Sequence, residues 1–229
     1  MSDGGHQPDP AAPAGTGATG RLVSVNVGAP RPVTWRGRVV LTSIFKCAVE
    51  GRVAVRGVNL AGDDQADRKV HGGPDRAVYA YAREEIDWWS GEIGHPLAPG
   101  DFGENLTTAG LPVSSAVIGE RWRIGEVELE VCGPRVPCFK LGIRMGDDGF
   151  PRRFAAAGRP GAYLRIRRNG SVAAGDEVAV EHRPAHAVTV GAVAHAYHHD
   201  RSGADELLAA PELAQGWQDW ARNVIDHRR

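Results

Sequence analysis

Hydrophobic and polar residues alternate in short runs along most of this chain. In "EVELEV", Val127, Leu129 and Val131 share one face while Glu126, Glu128 and Glu130 share the other, which predicts a half-buried antiparallel strand. "AYLRIRR" repeats the pattern, with Leu164 and Ile166 on one side and Tyr163, Arg165 and Arg167 on the other. "DEVAVEH" turns Val178 and Val180 inward. "RLVSVNV" from Arg21, "GRVVLTSIFK", "GRVAVRGVNL" and "AVYAY" read as further strands, with a turn at Glu50-Gly51. "REEIDWWSGEIG" changes period. Ile86, Trp89 and Ile93 lie three and four apart and predict a short amphipathic helix ended by glycine. Many short strands between Gly and Pro turns, with no βαβ alternation, predict a mostly β protein with an antiparallel barrel or sandwich.

Beyond Pro184 the pattern becomes helical. Thr189 is placed to cap a helix carrying Val190, Val193, Ala194 and Tyr197 on one stripe. Ser202 with Asp205 resembles a capping box ahead of Leu207 and Leu208. Pro211 suits a first helical position, followed by Leu213, Trp217, Trp220 and Val224 on one face. Residues 186–229 are thus expected to form a three-helix C-terminal module behind a β-domain spanning 21–185. Residues 1–20, rich in Gly, Pro and Ala, are expected to be a disordered tail without the h-region of a secretion signal.

Composition narrows the class only slightly. A net charge of -1 over 229 residues disfavours a nucleic-acid polymer or an anionic membrane as partner. No apolar run is long enough to span a bilayer. Three cysteines do not form a disulfide framework, so a reducing cytoplasm is expected.

Candidate chemistry gathers in three stretches. "CGPRVPCFK" holds Cys132 and Cys138, with Arg135 and Lys140 flanking the second. Nearby cations favour the thiolate, the form that attacks or binds metal. Cys132 and Cys47 read as small buried hydrophobes, and the Cys132/Cys138 spacing does not match a zinc site. "DRKVHGGPDRAVYAY" packs Lys69, His71, Asp75 and Arg76 around a Gly-Gly-Pro turn. "PGDFGENLTTAGL" offers Asn105, whose amide both donates and accepts. Each of these two also fits an ordinary surface loop. "HAYHH" reads as a solvated helix end rather than a metal site.

In chain order, "DRKVHGGPDRAVYAY", "PGDFGENLTTAGL" and "PRVPCFKLGIRMGDDGFPRRFAAAGRPGAYLRI" resemble the MOSC family, the molybdenum cofactor sulfurase C-terminal domains, and in particular its YiiM-type branch. The resemblance runs from about residue 21 to the C-terminus, and the tail resembles the three-helix module of that branch. It implies a MOSC-type β-barrel with peripheral helices and a pterin-based molybdenum cofactor (molybdopterin). It further implies that Cys138 ligates molybdenum or carries sulfur. Arg135, Lys69, Lys140 and Arg165 are then the expected cations around the cofactor and its phosphate. Asn105 would read the pterin edge, and His71 with Asp75 would supply and orient a proton. Relatives of this family reduce N-hydroxylated compounds, which implies a molybdenum-dependent oxidoreductase acting on N-hydroxylated substrates such as purine bases, a detoxifying activity. With no flavin, nicotinamide or iron–sulfur signature, a separate electron-donor protein is expected. Two other functions are compatible with the same residues: sulfur transfer through a Cys138 persulfide, or non-catalytic binding and delivery of the cofactor.

Overall fold

Seven strands close into a barrel in the computed structural model, which describes residues 17–64 and 73–228. The first strand, β1 (Thr19–Val27), carries a bulge between Leu22 and Ser24 that bends it across the barrel. A hairpin follows, β2 (Arg31–Trp35) and β3 (Arg38–Thr42), which pair only with each other. The short β4 (Cys47–Ala48) extends the edge beside β1. "GRVAVRGVNL" is not one strand. Gly57, at φ 62°, splits it into the tight hairpin of β5 (Val53–Arg56) and β6 (Asn59–Leu60).

β7 (Val78–Ala82) is buried along its whole length and runs parallel to β8 (Leu106–Ala109). The crossover between them carries α1 (Arg83–Ile93), which ends at Gly94 in the left-handed conformation (φ 75°), as its sequence predicts. β9 (Arg121–Ile124) and β10 (Val127–Pro134) form a hairpin. Two short helices, α2 (Phe139–Met145) and α3 (Phe150–Ala156), precede β11 (Ala162–Arg168). β12 (Gly170–Val172) joins β5, and β13 (Glu177–His182) closes the barrel onto β1 in the order β13-β9-β10-β11-β7-β8-β1.

Alternation along β10 holds on the inner face, where Val127, Leu129 and Val131 are fully buried. The outer face departs from it. Glu130 is also buried, because Arg165 reaches it at 3.1 Å and the C-terminal segment covers it. No helix among the described residues is long and apolar enough to cross a membrane.

The tail begins as its sequence predicts. Thr189 accepts a hydrogen bond from the Ala192 amide (3.1 Å) and caps α4 (Val190–His198). The middle stretch is two 3-10 turns, 201–204 and 206–209, with Asp200 rather than Ser202 as the first cap. The last helix, α5 (Gln215–Asp226), starts four residues after Pro211. Val190, Val193, Ala196, Leu207 and Leu213 join the barrel's own hydrophobic core.

A second, aromatic core lies between the barrel wall and α1–α3, built on Tyr79, Tyr81, Trp89, Phe102, Phe150 and Phe154. At its edge Glu85 is 7% exposed, and its Oε2 has no hydrogen-bond partner among the described residues. Burial pushes this carboxyl up to about 7, with Ser114 and Arg159 only partly opposing the shift. The folded state therefore holds the proton to higher pH than the unfolded chain does. Stability from this group is greatest below the ordinary carboxylate value and falls as pH rises from about 4.5 towards 7, by roughly 3 kcal/mol in all. Glu104, also raised by burial, adds a change of the same sign. Glu85→Gln should remove most of the fall, so its melting temperature should change less than that of the wild type between pH 5 and pH 8. Parallel thermal melts check this, and an unchanged difference would refute it.

Candidate functional site

The barrel carries a cleft of roughly 730 Å³, open solvent at its mouth included. Its walls come from six separate parts of the chain. Thr42 ends β3, and Ser43, Ile44 and Lys46 follow it; Asp63 and Asp64 follow β6. Arg76 and Ala77 lead into β7, which holds Tyr79, and Gly103 and Asn105 lead into β8. Arg135, Val136, Cys138 and Lys140 connect β10 to α2, and Tyr163 comes from β11.

Four of the residues expected from the sequence meet here: Cys138, Arg135, Lys140 and Asn105. Cys138 is a free, partly exposed thiol at the N-cap of α2, with extended backbone (φ -128°, ψ 173°). Arg135 is 7% exposed, donates to the Phe102 carbonyl and lies 5.0 Å from the centre of the Tyr79 ring. No carboxylate lies within ion-pair reach of it among the described residues. Burial works against its charge, and Tyr79, Tyr163 and the Cys138 sulfur favour it. A buried guanidinium without a counter-ion is costly, and an anion in the cleft offsets that cost. Lys140 likewise has no carboxylate partner among the described residues.

Asn105 lines the cleft, but its amide is committed to the protein. Its Oδ1 accepts from the Tyr79 amide (3.1 Å), and its Nδ2 donates to Asp63 Oδ2 (2.8 Å) and the Asn26 carbonyl (3.3 Å). It clamps the wall and has no spare donor to read a ring edge. Asp75 and Arg165 do not reach the cleft. They pair with each other, and Arg165 also donates to Glu130 (3.1 Å) and to the Glu212 carbonyl (2.7 Å), tying β11 to the C-terminal segment. Lys69 and His71 lie outside the described residues.

Sequence reasoning missed three groups. Lys46 is 9% exposed and paired with Asp63; burial lowers its pKa despite that partner, so its ammonium gives up a proton more readily than an exposed lysine. Ser43 Oγ is buried without a hydrogen-bond partner among the described residues. Tyr163 adds an aromatic wall, its ring centre 5.2 Å from that of Tyr79. The one advance signal was Lys46 itself, a cation ending an otherwise apolar "SIFK" run.

The other cysteines divide as well. Cys132 is buried as expected; it donates to the carbonyls of Asp75 (3.2 Å) and Tyr163 (3.3 Å), and burial pushes its thiol up to about 12. Cys47, expected to be buried, is exposed on β4. A wider groove of roughly 1750 Å³ runs between α3 and α4, lined by Arg159, His195 and His199, but no cysteine lines it.

Comparison with known proteins places this geometry in context. The sequence profile of the MOSC domain matches residues 67–179. Protein YiiM of Escherichia coli (strain K12) is 34% identical over 182 residues, covering 77% of this chain and 81% of that protein. A reductase of Gibberella moniliformis is 32% identical over 171 residues, covering 72% of this chain but only 30% of the fungal protein. The crystal structure of YiiM from Geobacillus stearothermophilus superimposes with a TM-score of 0.74 at 28% identity, covering 90% of this chain and 98% of that one.

Proposed function

Because the chain belongs to the MOSC domain family, a family associated with molybdenum cofactor binding, we propose that it is a molybdenum-dependent reductase of N-hydroxylated compounds, with Cys138 as the metal ligand. The observation that carries this reading is a thiol sharing a cleft with a buried arginine that has no acid partner among the described residues.

The cleft suits the cofactor in three respects. A thiolate is a soft ligand for a thiophilic metal, and Cys138 is the cysteine that lines the wall. Arg135 and Lys140 present positive charge to a phosphate. Ser43 Oγ supplies a hydroxyl without a partner among the described residues, and Tyr79 with Tyr163 gives flat surfaces for a heterocycle. When bound, the cofactor supplies the two-electron chemistry. The reductase among the relatives supports an oxidoreductase over a storage protein.

Conversion of an N-hydroxyl group to an amine consumes two electrons and two protons and releases water. The chain must therefore deliver protons into the cleft. Lys46 Nζ is the acid in the wall, and Asp63 holds it in place while also anchoring Asn105. Asp75, expected to share this role, does not line the cleft, and His71 lies outside the described residues. Electrons come from a separate donor protein, and the reducing cytoplasm keeps Cys138 a free thiol.

The test is metal and pterin analysis of the protein as isolated, followed by turnover of an N-hydroxylated purine base with reduced methyl viologen. One molybdenum per chain with formation of the amino base supports the reading. Bound cofactor without turnover would assign the chain to cofactor carriage, and a sulfur adduct on Cys138 without metal would assign it to sulfur transfer.

A further inference from the structure

Arg135 has no acid partner among the described residues, so another group must fix its guanidinium in the cleft wall. It donates to the Phe102 carbonyl. That carbonyl lies in a turn, residues 100–103, closed by the Gly103 amide on the Gly100 carbonyl (2.9 Å). No strand ladder holds this turn, because β8 begins only at Leu106. The turn presses directly on the wall that supplies Lys46. A side chain at Gly100 would put its Cβ 2.6 Å from the Lys46 carbonyl oxygen.

Glu104 anchors the turn. It is fully buried, and its carboxylate accepts three hydrogen bonds. Oε1 takes the Gly100 amide (2.6 Å) and the Thr107 hydroxyl (2.8 Å), and Oε2 takes the Phe102 amide (3.2 Å). Thr107, on β8, accepts in turn from Asn26 Nδ2 on β1 (3.1 Å), which ties the turn to two barrel strands. All three groups facing Glu104 donate, so the site is built for an ionised carboxylate that only accepts. Burying that charge is costly, and no cation lies within ion-pair reach of it among the described residues. A turn that needs only a staple is served by a neutral Asn or Ser side chain. Here one residue, Phe102, gives its amide to the buried acid and its carbonyl to the buried guanidinium.

We propose that Glu104 is a positioning residue for Arg135. It fixes Phe102, the Phe102 carbonyl fixes the guanidinium, and the anion affinity of the cleft follows from that geometry. Identification of the anion as a phosphate rests on the cofactor reading above. Glutamine in place of Glu104 has a single acceptor oxygen, and its amide nitrogen turns N–H bonds against a group that also donates. The turn keeps its own backbone bond, but Phe102 or Gly100 loses its anchor and Arg135 loses a fixed acceptor.

Inorganic phosphate is the probe, titrated calorimetrically into the full chain produced in a host that cannot make the pterin. The wild type should bind it, and Arg135→Gln should bind it at least about tenfold more weakly. Glu104→Gln should weaken binding about tenfold, and the double variant should be no weaker than Arg135→Gln alone, because the two residues act through one contact. A residue that only staples the fold would lower the melting temperature and leave phosphate affinity unchanged well below it; that result overturns the proposal. So do additive losses in the double variant, and so does a wild type that binds no phosphate. If Glu104→Gln does not fold, Thr107→Val takes its place, since it removes one donor from Oε1 and keeps the side-chain shape. A loss of about threefold is then expected, and unchanged affinity overturns the proposal. Absence of viologen-driven turnover in the protein as isolated would fail the reductase reading, and the phosphate titration would still decide the role of Glu104.

Discussion

Cys138→Ser is expected to lower molybdenum per chain at least about tenfold and viologen-driven turnover at least about 100-fold, because a hydroxyl is a poor ligand for a metal that favours thiolate. The fold should survive. Cys138 occupies the N-cap of α2 with extended backbone, and its side chain makes no capping hydrogen bond there. Serine is among the preferred residues at such a position, so the melting temperature should hold or rise. Metal loss in this variant therefore cannot be blamed on unfolding. Cys132→Ser is the matched control. That thiol lies inside the barrel wall and already donates to two carbonyls, so the metal content should be retained. Elemental analysis of the three proteins decides the matter, and equal molybdenum in wild type and Cys138→Ser removes Cys138 as the ligand.

Deleting residues 186–229 should abolish soluble expression. Val190, Val193, Leu207 and Leu213 are each at most 3% exposed and pack into the same core as the barrel strands. At about 1.5–3 kcal/mol for each buried side chain, their loss is comparable to the whole stability of a typical domain, about 5–15 kcal/mol. Backbone bonds would be lost too. The amides of Ile118 and Ala214 meet the carbonyls of Val188 and Cys132, each at 2.9 Å, and Val190 donates to Ala116 at 2.9 Å. Arg165 would lose the Glu212 carbonyl. A soluble truncated protein that melts cooperatively would show instead that the tail is a detachable docking element.

Much of the fold was legible before any coordinates. The period-two runs at 126–131, 162–168 and 177–182 are strands because one face of each must be buried. α1 stops at Gly94 and α4 starts at Thr189 for local reasons, a left-handed glycine and a hydroxyl cap, which a short window contains. The same windows failed at Gly57, where a tight turn hides inside an apolar run, and at Pro211, which sits in a turn ahead of α5 instead of opening it.

For the site, the sequence by itself determined that Cys138 stands between Arg135 and Lys140, and that fact led to the cleft. Only the tertiary structure decided which charges are compensated. Arg135 and Arg165 look alike in the sequence, yet the fold delivers Asp75 and Glu130 to Arg165 and, among the described residues, no acid to Arg135. Lys46 and Ser43 enter the wall from more than ninety residues upstream of Cys138 because the connection from β3 to β4 borders the same cleft as the start of α2. Charge compensation depends on distances across the sheet. Residue order along the chain does not contain those distances until the strands have chosen their neighbours.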